Sequence, residues 1–387
     1  MTPILPPAML GILGGGQLGR MFAIAARTLG YRVTVLDPDA RAPAAAFADV
    51  HLCRAYDDRD ALKTLADTCA AVTTEFENVN ADSMRWLAQT IRVSPSADCV
   101  AIAQDRIAEK SWIRRAGLDT APYLAIESVE ELACDLSPWL PGILKTSRLG
   151  YDGKGQVRVD TPEAARAAYA NLGGQACVLE KRLPLQREIS VIVTRVSDAL
   201  VNSFPVSENE HVDGILELSI VPARIGDALA ARAREMAIRL AHELDYVGVL
   251  AVEFFVLDDD SLVINEIAPR PHNSGHYTLD ACNTDQFQQQ VRALCGLAPG
   301  RADLLTPVVM ANLLGDRWKA DGSAPYWAVL MDTPNAKLHL YGKDTARKGR
   351  KMGHFTVVGS DVDNLIEQTR ACLLYTSPSP RDPKTAR

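Results

Sequence analysis

The stretch Ala251-Val252-Glu253-Phe254-Phe255-Val256-Leu257, then Asp258-Asp259-Asp260-Ser261, then Leu262-Val263-Ile264-Asn265-Glu266-Ile267, decides how this chain is read. Two runs rich in Val, Ile, Leu and Phe flank four turn-forming polar residues, the pattern of a β-hairpin. With those four residues as the loop, Leu257 faces Leu262, and counting back sets Glu253 opposite Glu266. The same face then carries Phe255, Leu257, Leu262 and Ile264, all apolar. Directly opposed side chains have Cβ atoms about 4.5–5.5 Å apart, where like charges repel. Two carboxylates so placed call for a cation, and hard oxygen ligands suit Mg²⁺ bridging to phosphates. The competing expectation is a register shifted by one, leaving one Glu merely solvated at a strand end.

Working outward, Ala268-Pro269-Arg270-Pro271-His272-Asn273-Ser274-Gly275-His276 is a rigid, polar, cationic loop leaving the second strand. Binding groups concentrate on loops held by a scaffold, so an anionic substrate is expected over it.

At 387 residues the chain is expected to hold two or three domains. A formal charge of −7 argues against general nucleic-acid binding, so any basic site must be local. The eight Cys are scattered without a C-x-x-C pair, which fits free thiols in a reducing cytoplasm. No apolar run approaches the ~20 residues of a membrane helix, and no signal peptide is legible. A cytoplasmic protein without a membrane partner is expected.

Met9–Leu13 reads as a strand running into Gly14-Gly15-Gly16-Gln17-Leu18-Gly19, then a helix, Arg20 to Leu29, and a strand, Arg32–Leu36, closing on Asp37. This is the dinucleotide fingerprint in β-α-β context. Any doubly wound domain needs Gly at that turn, so the reading adopted is that amides at the helix start bind a substrate phosphate. Val72–Val79 reads as a later strand ending in acids, with Glu75 a candidate acceptor for a sugar hydroxyl and Glu77 solvated. Ser94-Pro95-Ser96 marks a boundary, and Gln104-Asp105-Arg106 opens a helix to about Ala116, with Arg106 a phosphate contact or an exposed charge. Gly142–Lys145 and Val157–Val159 are strands around Thr146–Gln156, a Gly-rich segment whose amides and Lys154 can fold over phosphates. The alternative is a tight Gly hairpin with a solvated Lys. Cys177–Leu183 and Arg187–Val193 are strands; Glu188 suits paired ribose hydroxyls. Asp227 to Leu244 is an amphipathic helix with Leu229, Met236, Leu240 and Leu244 facing a core. Leu338–Lys343 and Arg347–His354 carry the one basic cluster, read as a solvated turn or a phosphate site. From Tyr375 to Arg387 nothing is periodic, and a disordered tail is expected.

Gly11–Arg20, Thr74–Val79, Gly150–Gln156, Asn265–His276, His339–Lys343 and Gly349–His354 together resemble the ATP-grasp superfamily and, within it, the N5-carboxyaminoimidazole ribonucleotide synthetases. The resemblance covers roughly residues 9–374. It implies an α/β (α+β) ATP-grasp fold: residues 1–103 a doubly wound pre-ATP-grasp domain, 104–300 the ATP-grasp domain, 301–374 a small β-rich domain, and 375–387 a tail. It implies an ATP-dependent ligase that carboxylates 5-aminoimidazole ribonucleotide with bicarbonate in purine biosynthesis. Arg106, Lys145, Gly150, Tyr151, Asp152, Gly153, Lys154, Gly155, Gln156, Glu180, Lys181, Arg182, Leu183, Glu188, His211, Asn265 and Glu266 are similar to the family's ATP contacts. Glu253 and Glu266 are similar to its Mg²⁺ ligands, with Mn²⁺ an alternative ion. Gln17, Leu18, Glu75, Tyr151, Asp152, His272, Lys343 and Arg350 are similar to its ribonucleotide contacts. Asp152 or His272 would orient or deprotonate the amine; Lys343 and Arg350 would bind the phosphate or help bicarbonate. A homodimer is implied. Two departures stand out: Ser147 lies where such loops often carry Arg, and the tail after Leu374 has no family counterpart. An NAD-dependent oxidoreductase, a formate-using ligase and a non-catalytic nucleotide-binding regulator are the rival readings.

Overall fold

A computed structural model describes residues 2–148, 150, 155–319 and 321–376. Tyr151, Asp152, Gly153 and Lys154 of the Gly-rich segment, and residues 377–387 of the expected tail, lie outside the described residues.

The first layer is a parallel sheet in the order Val50–Leu52, Arg32–Leu36, Met9–Leu13, Ala71–Thr74, Arg92–Val93. The chain leaves Met9–Leu13 toward one edge and later returns to its other side, so the switch point lies between Met9–Leu13 and Ala71–Thr74. A ligand crevice belongs outside the carboxyl ends of that pair. Both inner strands are nearly all buried, as expected of parallel strands covered on two faces. Helix Gln17–Thr28 covers one face together with Phe287, Val291 and Leu294 of helix Gln286–Leu294, which belongs to a later part of the chain. The run Val72–Val79 is strand only as far as Thr74. From Glu75 onward the carboxylates need partners that a sheet cannot supply, and the backbone bends away.

The second layer is a four-stranded antiparallel sheet, Tyr123–Ile126, Cys177–Lys181, Gly142–Thr146, Gln156–Val159. Opposite it stands a nine-stranded sheet that begins at the edge strand Leu262–Ala268, continues through Gly248–Leu257 and Leu185–Ser197, and ends at Lys351–Val358 and Ala336–Leu340. Helix Asp227–Glu243 packs Leu240, and its C-cap residue Leu244, into the core of that sheet, with Leu229 and Met236 partly buried against it. Val308–Leu314 pairs with Ile215–Val221, so the region after residue 301 extends this sheet without a break. The last helix, Val362–Tyr375, takes in the first residue of the expected tail. Thr376 is buried there, its Oγ1 donating to the Cys372 carbonyl at 2.9 Å.

The hairpin forms with a different turn. The Leu257 amide donates to the Ser261 carbonyl at 3.0 Å, and Asp260 is left-handed at φ 60°. The loop is thus three residues, a type I turn plus a left-handed residue, and Val256 faces Leu262. That register alone would set Glu253 opposite Asn265. A bulge between Ile264 and Glu266 inserts one residue, and Glu253 faces Glu266 after all. The expectation that Leu262 and Ile264 share the carboxylates' face is therefore corrected: both lie on the opposite, fully buried face with Phe254 and Val256. The two shifts cancel at the Glu pair and not before it.

Candidate active site

Glu253 and Glu266 meet near the end of the hairpin away from the turn, on neighbouring strands of the central sheet. Burial pushes the Glu253 carboxyl well above the ordinary range, and the facing Glu266 pushes it further. His272 Nε2 lies 3.4 Å from Glu253 Oε1, and Arg106 Nη1 donates to Glu266 Oε2 at 3.1 Å. Asn265, on the bulge between them, buries Oδ1 with no hydrogen-bond partner among the described residues. Two paired carboxylates and a nearby orphaned oxygen fit a hard divalent ion such as Mg²⁺, which takes the rest of its oxygens from water and phosphate. Among the described residues no cluster of three His, Cys, Asp or Glu forms a complete protein cage.

Across the cleft from this pair, Lys145, the last residue but one of strand Gly142–Thr146, donates to Glu180 Oε2 at 2.8 Å. Lys110 Nζ lies 3.1 Å from Glu180 Oε1, wholly buried. Burial lowers the Lys145 pKa more than Glu180 raises it. Burial alone would raise Glu180, but Lys145, Lys110 and Arg106 outweigh it and pull the carboxyl down to about 2. One carboxylate among three cations leaves positive charge to spare, which suits an arriving polyphosphate. Lys110 and its neighbour Glu109 carry no signal of their own in the sequence. With Arg106 they form an i, i+3, i+4 stripe on helix Arg106–Arg115, and such a charged stripe ordinarily reads as a solvated face. Here the whole stripe is buried.

Arg106 also donates through Nη2 to the Gly150 carbonyl at 3.2 Å, tying the root of the Gly-rich segment to Glu266. At its other root Gly155 is left-handed at φ 68°, its carbonyl accepting from the Thr146 amide at 2.9 Å. Gln156 opens the following strand opposite Lys145, so strand and not helix follows the segment. Ser147 donates to Asp105 Oδ1 at 2.6 Å, and the next residue, Arg148, pairs with Asp105 Oδ2 at 3.1 Å. Farther along the cleft Glu188 Oε2 lies 2.9 Å from His211 Nδ1; burial would lower that imidazole, but Glu188 outweighs it and raises its pKa. Lys181, Arg182 and Leu183 follow Glu180 in order; Lys181 and Arg182 are largely exposed, and Arg182 pairs only loosely with Asp160 at 3.6 Å.

At the switch point of the parallel sheet the glycine loop is engaged differently from the phosphate cradle expected. Glu75 takes the amides of both Gly16 and Gly19, and Asp37 Oδ2 takes that of Gly15 at 2.7 Å. Glu75 thus caps the helix start with a carboxylate, where negative charge is favoured, and Asp37 holds the loop just before it. Gln17 Oε1 accepts from Lys343 Nζ at 2.6 Å, so Gln17 and Lys343 meet although 326 residues apart. Leu18 is buried beside them in the first turn of the helix. Arg350 donates to the Thr345 carbonyl at 2.7 Å and is more exposed. His272 Nδ1 lies 2.9 Å from Ser274 Oγ, and burial with Arg270 nearby holds its imidazole well below the usual value, hence neutral at pH 7. Glu77 is not solvated: it pairs with Arg270, which outweighs burial and lowers its pKa. In the sequence Arg270 reads only as part of a cationic loop; nothing local names its partner 193 residues away.

A four-stranded antiparallel sheet beside a larger sheet, with the buried Lys145–Glu180 pair on one and paired carboxylates on the other, defines an enzyme of the ATP-grasp class. The ATP-grasp domain family matches residues 111–287, the ribonucleotide synthetase preATP-grasp domain residues 8–104, and the phosphoribosylaminoimidazole carboxylase C-terminal domain residues 308–368. The chain is 43% identical over 366 residues to the N5-carboxyaminoimidazole ribonucleotide synthase of Bacillus subtilis, covering 94% of this chain and 95% of that protein. It is 46% identical over 358 residues to the enzyme of that name from Brucella melitensis, covering 92% and 97%. Among solved structures, the Aspergillus clavatus N5-carboxyaminoimidazole synthase in complex with ADP and 5-aminoimidazole ribonucleotide aligns with TM-score 0.86 and 32% identity, covering 95% of this chain and 98% of that one. The Staphylococcus aureus synthetase complexed with ADP aligns at 0.88 and 35%, covering 96% and 98%. The chain belongs to the N5-carboxyaminoimidazole ribonucleotide synthase family.

Proposed function

We propose that this chain joins bicarbonate to 5-aminoimidazole ribonucleotide at the expense of ATP, giving N5-carboxyaminoimidazole ribonucleotide, ADP and phosphate. The observation that carries the reading is Arg106, which touches both Glu266 of the carboxylate pair and the Gly150 carbonyl at the root of the Gly-rich segment. It couples a cation site to a phosphate-covering loop.

Bicarbonate is a poor electrophile and must first be activated. A bicarbonate oxygen attacks the γ-phosphorus of ATP, ADP departs, and carboxyphosphate forms. The substrate amine then attacks the carboxyl carbon, phosphate leaves, and the amine gives up a proton. Positioning and charge neutralisation carry most of such a transfer. Lys145 and Arg106 hold phosphate charge, and Glu180 keeps Lys145 extended into the cleft. Glu188 and His211 accept and donate toward the ribose, and Lys181 to Leu183 line the base. Gln17, Glu75, Lys343 and Arg350 bind the ribonucleotide, and neutral His272, with Asp152, orients or deprotonates the amine. Glu253 and Glu266 would hold Mg²⁺, or Mn²⁺, which screens charge on the phosphates.

The domain limits 1–103, 104–300 and 301–374, a cytoplasmic location and a homodimer complete the proposal. Among the described residues no helix is long and apolar enough to cross a membrane. The test is phosphate release from ATP with bicarbonate, with and without 5-aminoimidazole ribonucleotide. Release that depends on both supports the reading; release triggered by formate and another amine instead would sink it.

A further inference from the structure

The bulge in strand Leu262–Ala268 decides whether the two carboxylates meet, and that strand is the edge of its sheet. Carrying the turn-side register onward without it would set Glu266 opposite Val252, whose side chain is fully buried in the apolar core. Side chains alternate with period two, so a one-residue slip sends Glu266 to the wrong face. A bulge has an unpaired residue and a disrupted ladder, and at an edge no outer strand holds it in place. Something else must.

Three residues of helix Arg106–Arg115 grip three consecutive residues of the bulged strand. Lys110 Nζ donates to the Asn265 carbonyl at 3.2 Å, Arg106 Nη1 to the Glu266 carboxylate at 3.1 Å, and Glu109 Oε1 accepts from the Ile267 amide at 2.7 Å. The Ile264 amide, just before the bulge, donates to the Asp119 carbonyl at 2.8 Å. The outer edge across the bulge is thereby paired residue by residue, two of its backbone groups by side chains of one helix face. Arg106, Glu109 and Lys110 are all buried, so water does not compete for these bonds. Burial pushes the Glu109 carboxyl up to about 7, but Oε1 accepts from the Ile267 amide in either protonation state, and the buried Lys110 ammonium donates a charge-assisted bond to the Asn265 carbonyl.

We propose that Glu109 and Lys110 are positioning residues: they hold the bulge at Asn265 and so keep Glu266 on the Glu253 face, ready for a divalent cation. This rests on the reading of Glu253 and Glu266 as cation ligands. Neither Glu109 nor Lys110 touches a reacting atom; they act through the backbone of Asn265 and Ile267. Glu109 is the cleaner probe, because Lys110 also pairs with Glu180.

The test compares Glu109→Leu, Glu109→Gln, Lys110→Met and Glu266→Gln in the full chain. Mn²⁺ binding to the ADP complex is followed by electron paramagnetic resonance, and amide exchange is followed across residues 262–268. Glu109→Leu and Lys110→Met are expected to weaken Mn²⁺ binding about tenfold or more and to speed exchange in that segment, while in Glu109→Leu the ADP dissociation constant measured without metal changes less than about twofold. Glu109→Gln retains an acceptor for the Ile267 amide and is expected to bind Mn²⁺ nearly as the parent does. A general loss of structure would weaken ADP binding equally and would not be rescued by Gln. Unchanged Mn²⁺ affinity and exchange in Glu109→Leu would overturn the assignment even if Lys110→Met fails to fold. Unchanged Mn²⁺ affinity in Glu266→Gln would instead overturn the cation reading beneath it.

Discussion

Glu266 is the residue on which the most chemistry converges: it faces Glu253, accepts from Arg106, and sits one residue beyond an orphaned amide oxygen. Replacing it by Gln keeps the shape and removes half of the paired charge. Glu266→Gln is expected to fold normally and to lose most metal-dependent ATP turnover, read as phosphate release against Mg²⁺ concentration; near-normal turnover would remove the metal role. Glu180 makes a prediction about stability. Its carboxyl is held at about 2 against an ordinary value near 4.3, a lowered group, so its contribution is present above the ordinary value and lost as pH falls toward 2. Two to three pH units correspond to about 3 kcal/mol. Glu180→Gln, which strands Lys110 and Lys145 in a buried site, is therefore expected to cost about 3 kcal/mol by urea denaturation at pH 7. The gap between parent and variant should narrow as pH is lowered below about 4. A gap independent of pH would mean that Glu180 is not ionised in the folded protein.

Among the elements, the strand–glycine–helix entry is the most sharply determined. Gly14 sits at φ 102°, and a Cβ there would meet Glu75 Cγ at 2.4 Å; Gly30 sits at φ 85°, but its nearest neighbour is Pro6 at 3.4 Å. Backbone strain alone costs of the order of 1–2 kcal/mol in this region. Gly14→Ala adds displacement of the residue that caps the helix. It should lose more than about 2 kcal/mol, with Gly30→Ala closer to 1, both by chemical denaturation. Equal losses would show that Glu75 moves freely. The same entry shows what local sequence can say. Strand Met9–Leu13, the helix after it and strand Arg32–Leu36 were legible from periodicity and glycine placement. What the loop holds was not: its donors go to Asp37 and Glu75, and Glu75 arrives from a strand 56 residues beyond Gly19. The hairpin behaves alike. Its two strands were plain from composition, whereas its three-residue turn and its bulge depend on Asp260 turning left-handed and on a helix gripping the outer edge.

Across the whole molecule, the parallel sheet and the central sheet are joined through Arg270 and Glu77, and the C-terminal region reaches the first helix through Lys343 and Gln17. Breaking a buried pair by removing one partner typically costs about 3–5 kcal/mol, and the partly exposed Arg270–Glu77 pair falls below that, at about 1–3 kcal/mol. Arg270→Met is expected to lose that much at pH 7 and less near pH 4, where Glu77, no longer held low, takes up a proton. Calorimetry should show the N-terminal sheet melting ahead of the rest, and a single unshifted transition would show the pair to be dispensable. Local pattern in the chain was enough for the elements, their order and the family, because alternation, glycine turns and helical stripes are signals written within a few residues, whereas Glu253 meets Glu266 only because a shorter turn and a bulge offset each other. Only the tertiary structure decided that the pairing rests on a bulge, that a charged stripe of helix Arg106–Arg115 faces inward, and that the glycine loop is capped by the protein's own acids. Those outcomes depend on which groups meet across tens to hundreds of residues, where burial and competition for hydrogen bonds, not local pattern, choose the partner.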